Sequence, residues 1–279
     1  MIENILTDAG LDYTIRTTDK GEKYAGFKVV FNNEEFPFTA ILRNENIRIM
    51  LHEVLKLSNP DPFFAFLNTF NEKGAICKFY FNAVSGFVEG SVAISTFDEN
   101  QLSDQILFYI ETLYRSALAL KSYLALSPTI EEDHTAMALA GDPTILPTLK
   151  SVLIENGYSA RWKFERSVLA TNLLTLSGKK VILEFFLVDG GRLFIRSYAE
   201  TIIQENKVQD FLARMQHYNW LLDAVAVAFS PGELTYYLIR VIPIRFLKAD
   251  TEFIEDCISQ ALNAHEYIYN DLQVPYKMK

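Results

Sequence analysis

Short runs of alternating hydrophobic and polar residues mark the second half of the chain. Residues 161–165 alternate between charged and aromatic side chains, which predicts a strand with one face in water. Glycine-containing turns, such as Ser177-Gly178, separate longer apolar runs. Those runs predict three further antiparallel strands: 168–176, 180–188 and 192–199.

Helical periodicity follows these strands. Apolar residues spaced three or four positions apart predict a helix that starts near Asn206, and two more strands, 222–230 and 234–243, come next. A last helix is predicted to begin after Asp250, because its carboxylate can cap the free N–H groups of the first turn. The apolar stripe of that helix comprises Phe253, Ile254, Ile258, Ala261 and Leu262.

The first half of the chain repeats this order of helices and strands. The matched positions are Gly10 with Gly157, Asn71 with Asn219, and Phe81 with Phe229. A duplicated unit is the simplest interpretation. The predicted fold is α+β: two tandem copies of a mainly antiparallel sheet with helices on one face, each in the order α-ββββ-α-ββ-α. The predicted domains are 1–125 and 147–279, joined by a polar linker at 126–146.

A first helix closed by Gly10 or Gly157, an asparagine at the end of the middle helix and a long last helix resemble the YbjN-like family of small bacterial proteins. The element order is also similar to the type III secretion chaperone fold. The resemblance covers both copies and implies a non-enzymatic role in protein binding or in sensory-transduction regulation. It further implies that single domains dimerise, so two fused copies would form an internal pseudo-dimer. Additional homodimerisation stays open.

Composition and charge narrow the class of protein. The 279 residues are 49% hydrophobic, enough for two packed cores, and 26 basic against 35 acidic residues give a net charge of −9. A chain this acidic lacks the positive field expected of a nucleic-acid-binding protein. No stretch stays apolar and uncharged for about 18 residues, so no membrane partner is expected. The widely separated Cys77 and Cys257 fit a reducing cytoplasm.

No residue pattern in the sequence predicts catalysis. The 4 histidines have no second ligand at a metal-binding spacing, and no glycine-rich phosphate-binding loop is present. The carboxylate runs 34–35 and 131–133 fall in a predicted turn and in the linker, where they are expected to stay solvated. We therefore expect no metal, no cofactor and no catalytic residue.

One set of residues alternates arginine with large apolar side chains on two strands. Within each strand, residue parity puts the members of the set on one face. The predicted interaction surface comprises Arg192, Phe194, Arg196, Tyr198, Tyr236, Leu238 and Arg240. Arginine and aromatic residues are enriched where proteins bury contacts against one another. The alternatives are a half-exposed sheet face, a seam between the two copies, and a site for an external partner.

The sequence is interpreted as a cytoplasmic, chaperone-like or regulatory module that binds a protein of unknown identity. Two other classes stay open: an enzyme with a small-molecule pocket at the domain junction, and a structural assembly subunit. Titratable residues in a closed, largely apolar pocket would favour the enzyme, whereas a broad apolar sheet face would favour binding.

Overall fold

The protein is described from a computed structural model that covers residues 1–19, 21–43, 46–72, 76–95, 101–125, 144–164, 167–188 and 191–273. The α-helices of these residues are α1 (Ile2–Asp8), α2 (Asp61–Glu72), α3 (Leu102–Ala125), α4 (Ile145–Glu155), α5 (Val208–Leu221) and α6 (Thr251–Leu272). The strands of the first copy are β1 (Tyr13–Thr17), β2 (Lys23–Phe31), β3 (Glu34–Arg43), β4 (Asn46–Lys56), β5 (Lys78–Asn82) and β6 (Phe87–Ser95). The strands of the second copy are β7 (Arg161–Lys163), β8 (Val168–Leu174), β9 (Lys180–Val188), β10 (Arg192–Ala199), β11 (Ala226–Ser230) and β12 (Thr235–Pro243).

Local sequence signals account for the ends of several elements. Oδ1 of Asp250 accepts the N–H of Phe253 at 3.0 Å and caps α6, as predicted. Asn32 and Asn33 connect β2 to β3 with φ of +52° and +67°, the left-handed backbone of a tight hairpin turn. Strand β11 starts at Ala226, later than the predicted 222, because α5 continues to Leu221. None of the described helices is both long and apolar enough to cross a membrane.

Of the predicted linker, 126–146, residues 126–143 lie outside the described part of the chain. Helix α4 begins at Ile145, so the regular structure of the second copy starts just before the predicted domain boundary at 147. Its N-terminal part supplies buried apolar residues to the second core, including Leu146 and Leu149. The last residues assigned to the linker therefore belong to a packed helix.

Each copy forms a six-stranded antiparallel sheet with the same strand order. The first sheet runs β1-β2-β3-β4-β6-β5 and the second β7-β8-β9-β10-β12-β11. In each copy the fourth strand pairs with the last strand, which leaves the fifth strand at one edge. The predicted α+β class, the element order and the two tandem sheets are confirmed.

Two hydrophobic cores lie between helices and sheets, one in each of the two compact units into which the chain separates. The first core includes Leu6 of α1 and Leu113 of α3, which pack on strand residues such as Ile49. The second includes Leu149 of α4 and Ile254 of α6, together with strand residues of β8, β9 and β10. On the face of the second sheet opposite α4 and α6, alternate side chains of β10 are partly exposed, whereas Ile239 and Val241 of β12 are buried.

An asparagine at the end of α2 connects this helix to the next strand. Nδ2 of Asn71 donates to the carbonyl oxygen of Phe79 at 2.8 Å, and its Oδ1 accepts the N–H of Phe79 at 2.8 Å. The buried side-chain amide of Asn71 thus satisfies both backbone hydrogen-bonding groups of the buried Phe79. The matched residue of the second copy, Asn219, is fully buried as well.

Candidate interaction surface

Burial alternates along β10, the strand that carries four of the predicted surface residues. The half-buried positions are Arg192, Phe194, Arg196 and Tyr198, and the buried positions are Leu193, Ile195, Ser197 and Ala199. Leu193 and Ile195 belong to the core that packs against α6. We call the opposite side of the second sheet, which carries the half-buried set, the outer face.

The other three predicted residues lie on the helix-covered side. Strand β12 pairs with β10 so that Arg240 stands opposite Ile195 and Leu238 opposite Ser197. Directly opposed residues of neighbouring strands share a face. Tyr236, Leu238 and Arg240 are accordingly buried, with 8% exposure or less. The structure does not bring the seven residues together on one surface, because parity within a strand does not fix its phase relative to the next strand.

Glu184 of β9 is the centre of a charge cluster on the outer face. Its Oε1 accepts hydrogen bonds from Nζ of Lys163 at 2.7 Å and from the Tyr198 hydroxyl at 3.2 Å. Its Oε2 accepts from Nη2 of Arg196 at 2.8 Å and from Nε at 3.2 Å. The Glu184 side chain is 2% exposed, whereas that of Arg196 is 40% exposed. One buried carboxylate therefore holds two cations and a phenol in fixed positions.

The pKa values of the cluster follow from these contacts. Burial acts to raise the pKa of Glu184, but the hydrogen bonds and charges of Lys163 and Arg196 outweigh it, so the pKa lies below its usual range. Burial acts to lower the pKa of Lys163, but its hydrogen bonds to Glu184 and Tyr198 raise it overall. The carboxylate and the ammonium group are both ionised at neutral pH.

Two stacked phenylalanines adjoin the cluster. Phe186 of β9 and Phe194 of β10 stand opposite each other, with ring centroids 4.9 Å apart and an interplanar angle of 24°. The guanidinium carbon of Arg196 lies 5.7 Å from the Phe186 centroid and 6.0 Å from that of Tyr198. Arginine over an aromatic ring is a favourable cation–π arrangement. These residues form a continuous layer of rings and guanidinium on the outer face.

A different polar group lies on the helix-covered side. Nδ1 of His265 is 3.2 Å from the Tyr236 hydroxyl, and its Nε2 is 3.1 Å from Oγ of Ser197. Burial lowers the pKa of His265 to about 4, so the imidazole is neutral at pH 7. A serine nucleophile needs a base that a third group orients, and substrate must reach it. Here all three side chains are buried and the orienting group is a phenol, which fits a satisfied core polar group.

Arg240 is neutralised within the core. Its Nη1 donates to Oδ2 of Asp256 at 2.5 Å and lies 3.9 Å from Sγ of Cys257. Burial raises the pKa of the Cys257 thiol to about 12, so the thiol stays protonated and is a poor nucleophile. The small cavity beside Arg240 is lined mostly by apolar side chains, including Leu183 and Leu238. In the part of the chain that the structure describes, no cluster of three or more His, Cys, Asp or Glu could hold a metal ion.

Three residues of the Glu184 cluster and the adjoining ring pair were not in the predicted set: Lys163, Glu184 and Phe186. A usable signal was present, because Glu184 is the single charged residue of the apolar run 181–188. A charge within such a run requires a nearby partner of opposite sign. Arg196, directly opposite Glu184 in the pairing of β9 with β10, is that partner.

Fold and surface together define a class: a duplicated α+β protein whose distinctive polar and aromatic side chains lie on a sheet face. Residues 1–121 match the family model YbjN, described as "Putative bacterial sensory transduction regulator". The resemblance inferred from the sequence is thus confirmed over those residues. The description of that family names a regulatory role.

Two solved structures align with this chain at low similarity. The crystal structure of the ExsC-ExsE complex matches at 15% sequence identity and a TM-score of 0.32, covering 44% of this chain and 90% of that chain. The crystal structure of aspartate kinase from Synechocystis matches at 11% identity and a TM-score of 0.16, covering 99% of this chain and 52% of that chain. Likenesses this distant carry no inference about function. No curated protein matches the chain.

Proposed function

We propose that this chain is a non-catalytic regulatory protein of the bacterial cytoplasm that binds a protein partner through the outer face of the second sheet. The observation that carries the proposal is the Glu184 cluster. It holds Arg196 and Tyr198 in place on a half-buried face, next to the stacked Phe186 and Phe194. Side chains that are already ordered lose little entropy when a partner binds.

The composition and the chemistry of the second unit also support binding. Arginine and aromatic residues dominate interface hot spots. By contrast, the buried Ser197–His265–Tyr236 group lacks an orienting carboxylate and an open approach. Cys77 and Cys257 are both free and buried thiols, as suits a reducing compartment.

Affinity capture from a native bacterial lysate tests the proposal. The full chain is compared with a double variant, Phe194→Ala with Arg196→Gln, which removes a ring and a cation from the outer face. The matched control, Val84→Ala with Arg115→Gln, removes an exposed valine and an exposed arginine of the first copy. We expect the outer-face variant to lose about tenfold or more of a specifically captured protein, as hot-spot truncation does. The control variant should capture it at the wild-type level.

Circular dichroism and thermal unfolding establish that both variants are folded. Equal capture by a folded outer-face variant would contradict the proposal. A shift of the unfolding midpoint without any loss of capture would instead assign the face to a contact between the two copies. Sedimentation of the same samples measures whether the chain self-associates, a question that the family resemblance leaves open.

A further inference from the structure

The first compact unit includes a segment from the second copy. Residues 219–224, which span the end of α5 and the start of the connection to β11, belong to this unit together with the first sheet. Nη1 of Arg48, in β4, donates to Oδ1 of Asp223 at 3.0 Å, and Nζ of Lys78, in β5, donates to the Leu222 carbonyl oxygen. The Arg48 side chain is 3% exposed and that of Asp223 18%. A nearly buried arginine is therefore paired with a carboxylate that the second copy supplies.

Both donors lie on the face of the first sheet opposite its core. Ile49 and Phe79, which follow Arg48 and Lys78 in their strands, belong to that core, and successive strand residues point to opposite faces. Nη2 of Arg48 also donates to the Tyr80 hydroxyl at 3.2 Å. Burial lowers the pKa of Lys78 well below its usual range, and the charge of Arg48 acts in the same direction. Removing one partner of a buried ion pair is costly, because it leaves the other charge buried without compensation.

The second unit includes a residue of the first copy. Glu72, the last residue of α2, belongs to this unit, and its Oε1 accepts a hydrogen bond from the Tyr237 hydroxyl at 2.5 Å. Burial and the neighbouring Glu72 raise the pKa of Tyr237, so the phenol stays protonated and donates. Tyr237 lies on the outer face in the same strand as the buried Ile239 and Val241. The β12 part of the outer face is therefore occupied within the unit.

The two contacts come from matched places in the duplication. Asn71 matches Asn219, so Glu72 and residues 222–223 both follow the matched asparagine at the end of the middle helix. We infer that the two copies are coupled by a reciprocal exchange, in which the residues that follow the middle helix of one copy stabilise the sheet of the other. Both exchanged contacts include a carboxylate, and charge-assisted hydrogen bonds are the stronger ones. The coupling holds whether or not an external protein binds the rest of the outer face.

Hydrogen–deuterium exchange of the full chain, read by mass spectrometry, tests the coupling because it follows both copies separately. We expect Arg48→Met, a change in the first copy, to speed exchange of residues 219–224 about tenfold or more, since it removes the cation paired with Asp223. The control is Arg43→Met, which removes an arginine whose carboxylate partner, Glu22, lies in the same copy. This control should change exchange at 219–224 by less than about twofold.

A milder pair of variants tests the second unit by removing one hydroxyl group. Tyr237→Phe, a change in the second copy, should speed exchange of residues 61–72 about fivefold or more, because Glu72 loses its donor. The matched control, Tyr198→Phe, removes a hydroxyl that donates to Glu184 of its own copy. It should change exchange of 61–72 by less than about twofold. Both variants keep the aromatic ring, so they preserve the packing around it.

A double-mutant cycle completes the test. Asp223→Ala should speed exchange of 219–224 about tenfold in the wild-type chain but less than about twofold in Arg48→Met, where the ion pair is already lost. Additive effects of the two substitutions would overturn the inference. Changes in exchange confined to the copy that carries the substitution would overturn it as well, as would equal effects of a variant and its control. If circular dichroism shows that Arg48→Met is unfolded, the two tyrosine variants decide the outcome.

Discussion

Glu184 and His265 are both almost completely buried, yet burial has opposite results for their charge. Glu184 contacts two cations, whose hydrogen bonds outweigh desolvation and keep the carboxylate ionised. The hydrogen-bond partners of His265 are the uncharged Ser197 and Tyr236, which do not compensate for the burial of an imidazolium, so burial lowers the pKa of His265 to about 4. The neighbours of each residue, which come from other strands and helices, therefore decide its ionisation state.

The His265 pKa predicts a pH dependence of stability. The unfolded chain binds a proton at about pH 6.5 and the folded chain only near pH 4, so acidification across this window favours the unfolded state. Full stability is present above about pH 6.5 and is lost progressively down to about pH 4. His265 accounts for up to about 3 kcal/mol of the unfolding free energy that is lost on acidification, since each pKa unit corresponds to about 1.4 kcal/mol. We expect the His265→Gln variant not to show this part of the loss.

Urea unfolding of the wild type and His265→Gln at several pH values between neutral and mildly acidic measures this difference. Carboxylates titrate equally in both proteins, so they cancel in the comparison. Stability curves that run parallel for the two proteins across the window would rule out His265 as the source.

At the scale of elements, β6 illustrates how close packing between a strand and a helix limits side-chain size. Gly90 pairs with Phe79 of β5, and α3 packs over β4 and β6. A Cβ at Gly90 would lie 2.7 Å from Cε1 of Phe79 and 3.1 Å from Cδ2 of Leu113. Both neighbours are fully buried, so neither can move into free space. The missing side chain lets α3 approach the sheet.

Gly90→Ala is therefore expected to destabilise the protein by about 1–3 kcal/mol, the usual cost of overpacking a core. The matched control is Gly26→Ala in β2, where the nearest atom to an added Cβ is the Thr14 carbonyl oxygen at 3.9 Å. This control should change stability by less than about 0.5 kcal/mol, as surface substitutions usually do. Chemical denaturation of both variants gives the comparison, and equal costs would show that space at Gly90 is not limiting.

At the scale of the whole molecule, the duplication extends to details of backbone geometry. Gly10 and Gly157 end the first helix of each copy with φ of +70° and +80°. In each case the next residue donates back into the last turn: Leu11 to the Leu6 carbonyl at 3.0 Å, and Tyr158 to the Leu153 carbonyl at 2.9 Å. This is the Schellman arrangement, in which glycine takes the left-handed position. The two copies thus stop their first helices by the same device.

Because Gly10 and Gly157 have similar backbone conformations, we expect their replacement to lower the free energy of unfolding by similar amounts. Gly10→Ala and Gly157→Ala should each destabilise the protein by about 1–2 kcal/mol, the cost of a Cβ on a left-handed backbone. No atom lies within 4 Å of an added Cβ at either position, so sterics outside the backbone do not contribute. Denaturant unfolding of each variant, with Gly26→Ala as the reference for an ordinary backbone, measures the two costs. A large cost in one copy and none in the other would contradict the matched roles.

Much of the fold is predictable from the sequence because its signals are local. Strand positions, the Asp250 cap, the turn at Asn32-Asn33 and the burial alternation along β10 depend on residues a few positions apart. The candidate surface is only half predictable. Its four β10 residues lie together, whereas Tyr236, Leu238 and Arg240 lie on the opposite face.

By itself, the sequence determined the α+β class, the duplicated order of elements and which residues of each strand share a face, since these follow from residue periodicity. Only the tertiary structure decided how neighbouring strands are phased, because strand register depends on turn geometry and on long-range pairing. That register set Glu184 between Lys163 and Arg196 and collected the basic side chains on the outer face. It also buried Arg240 beside Asp256, where a periodic pattern alone had indicated an interaction surface.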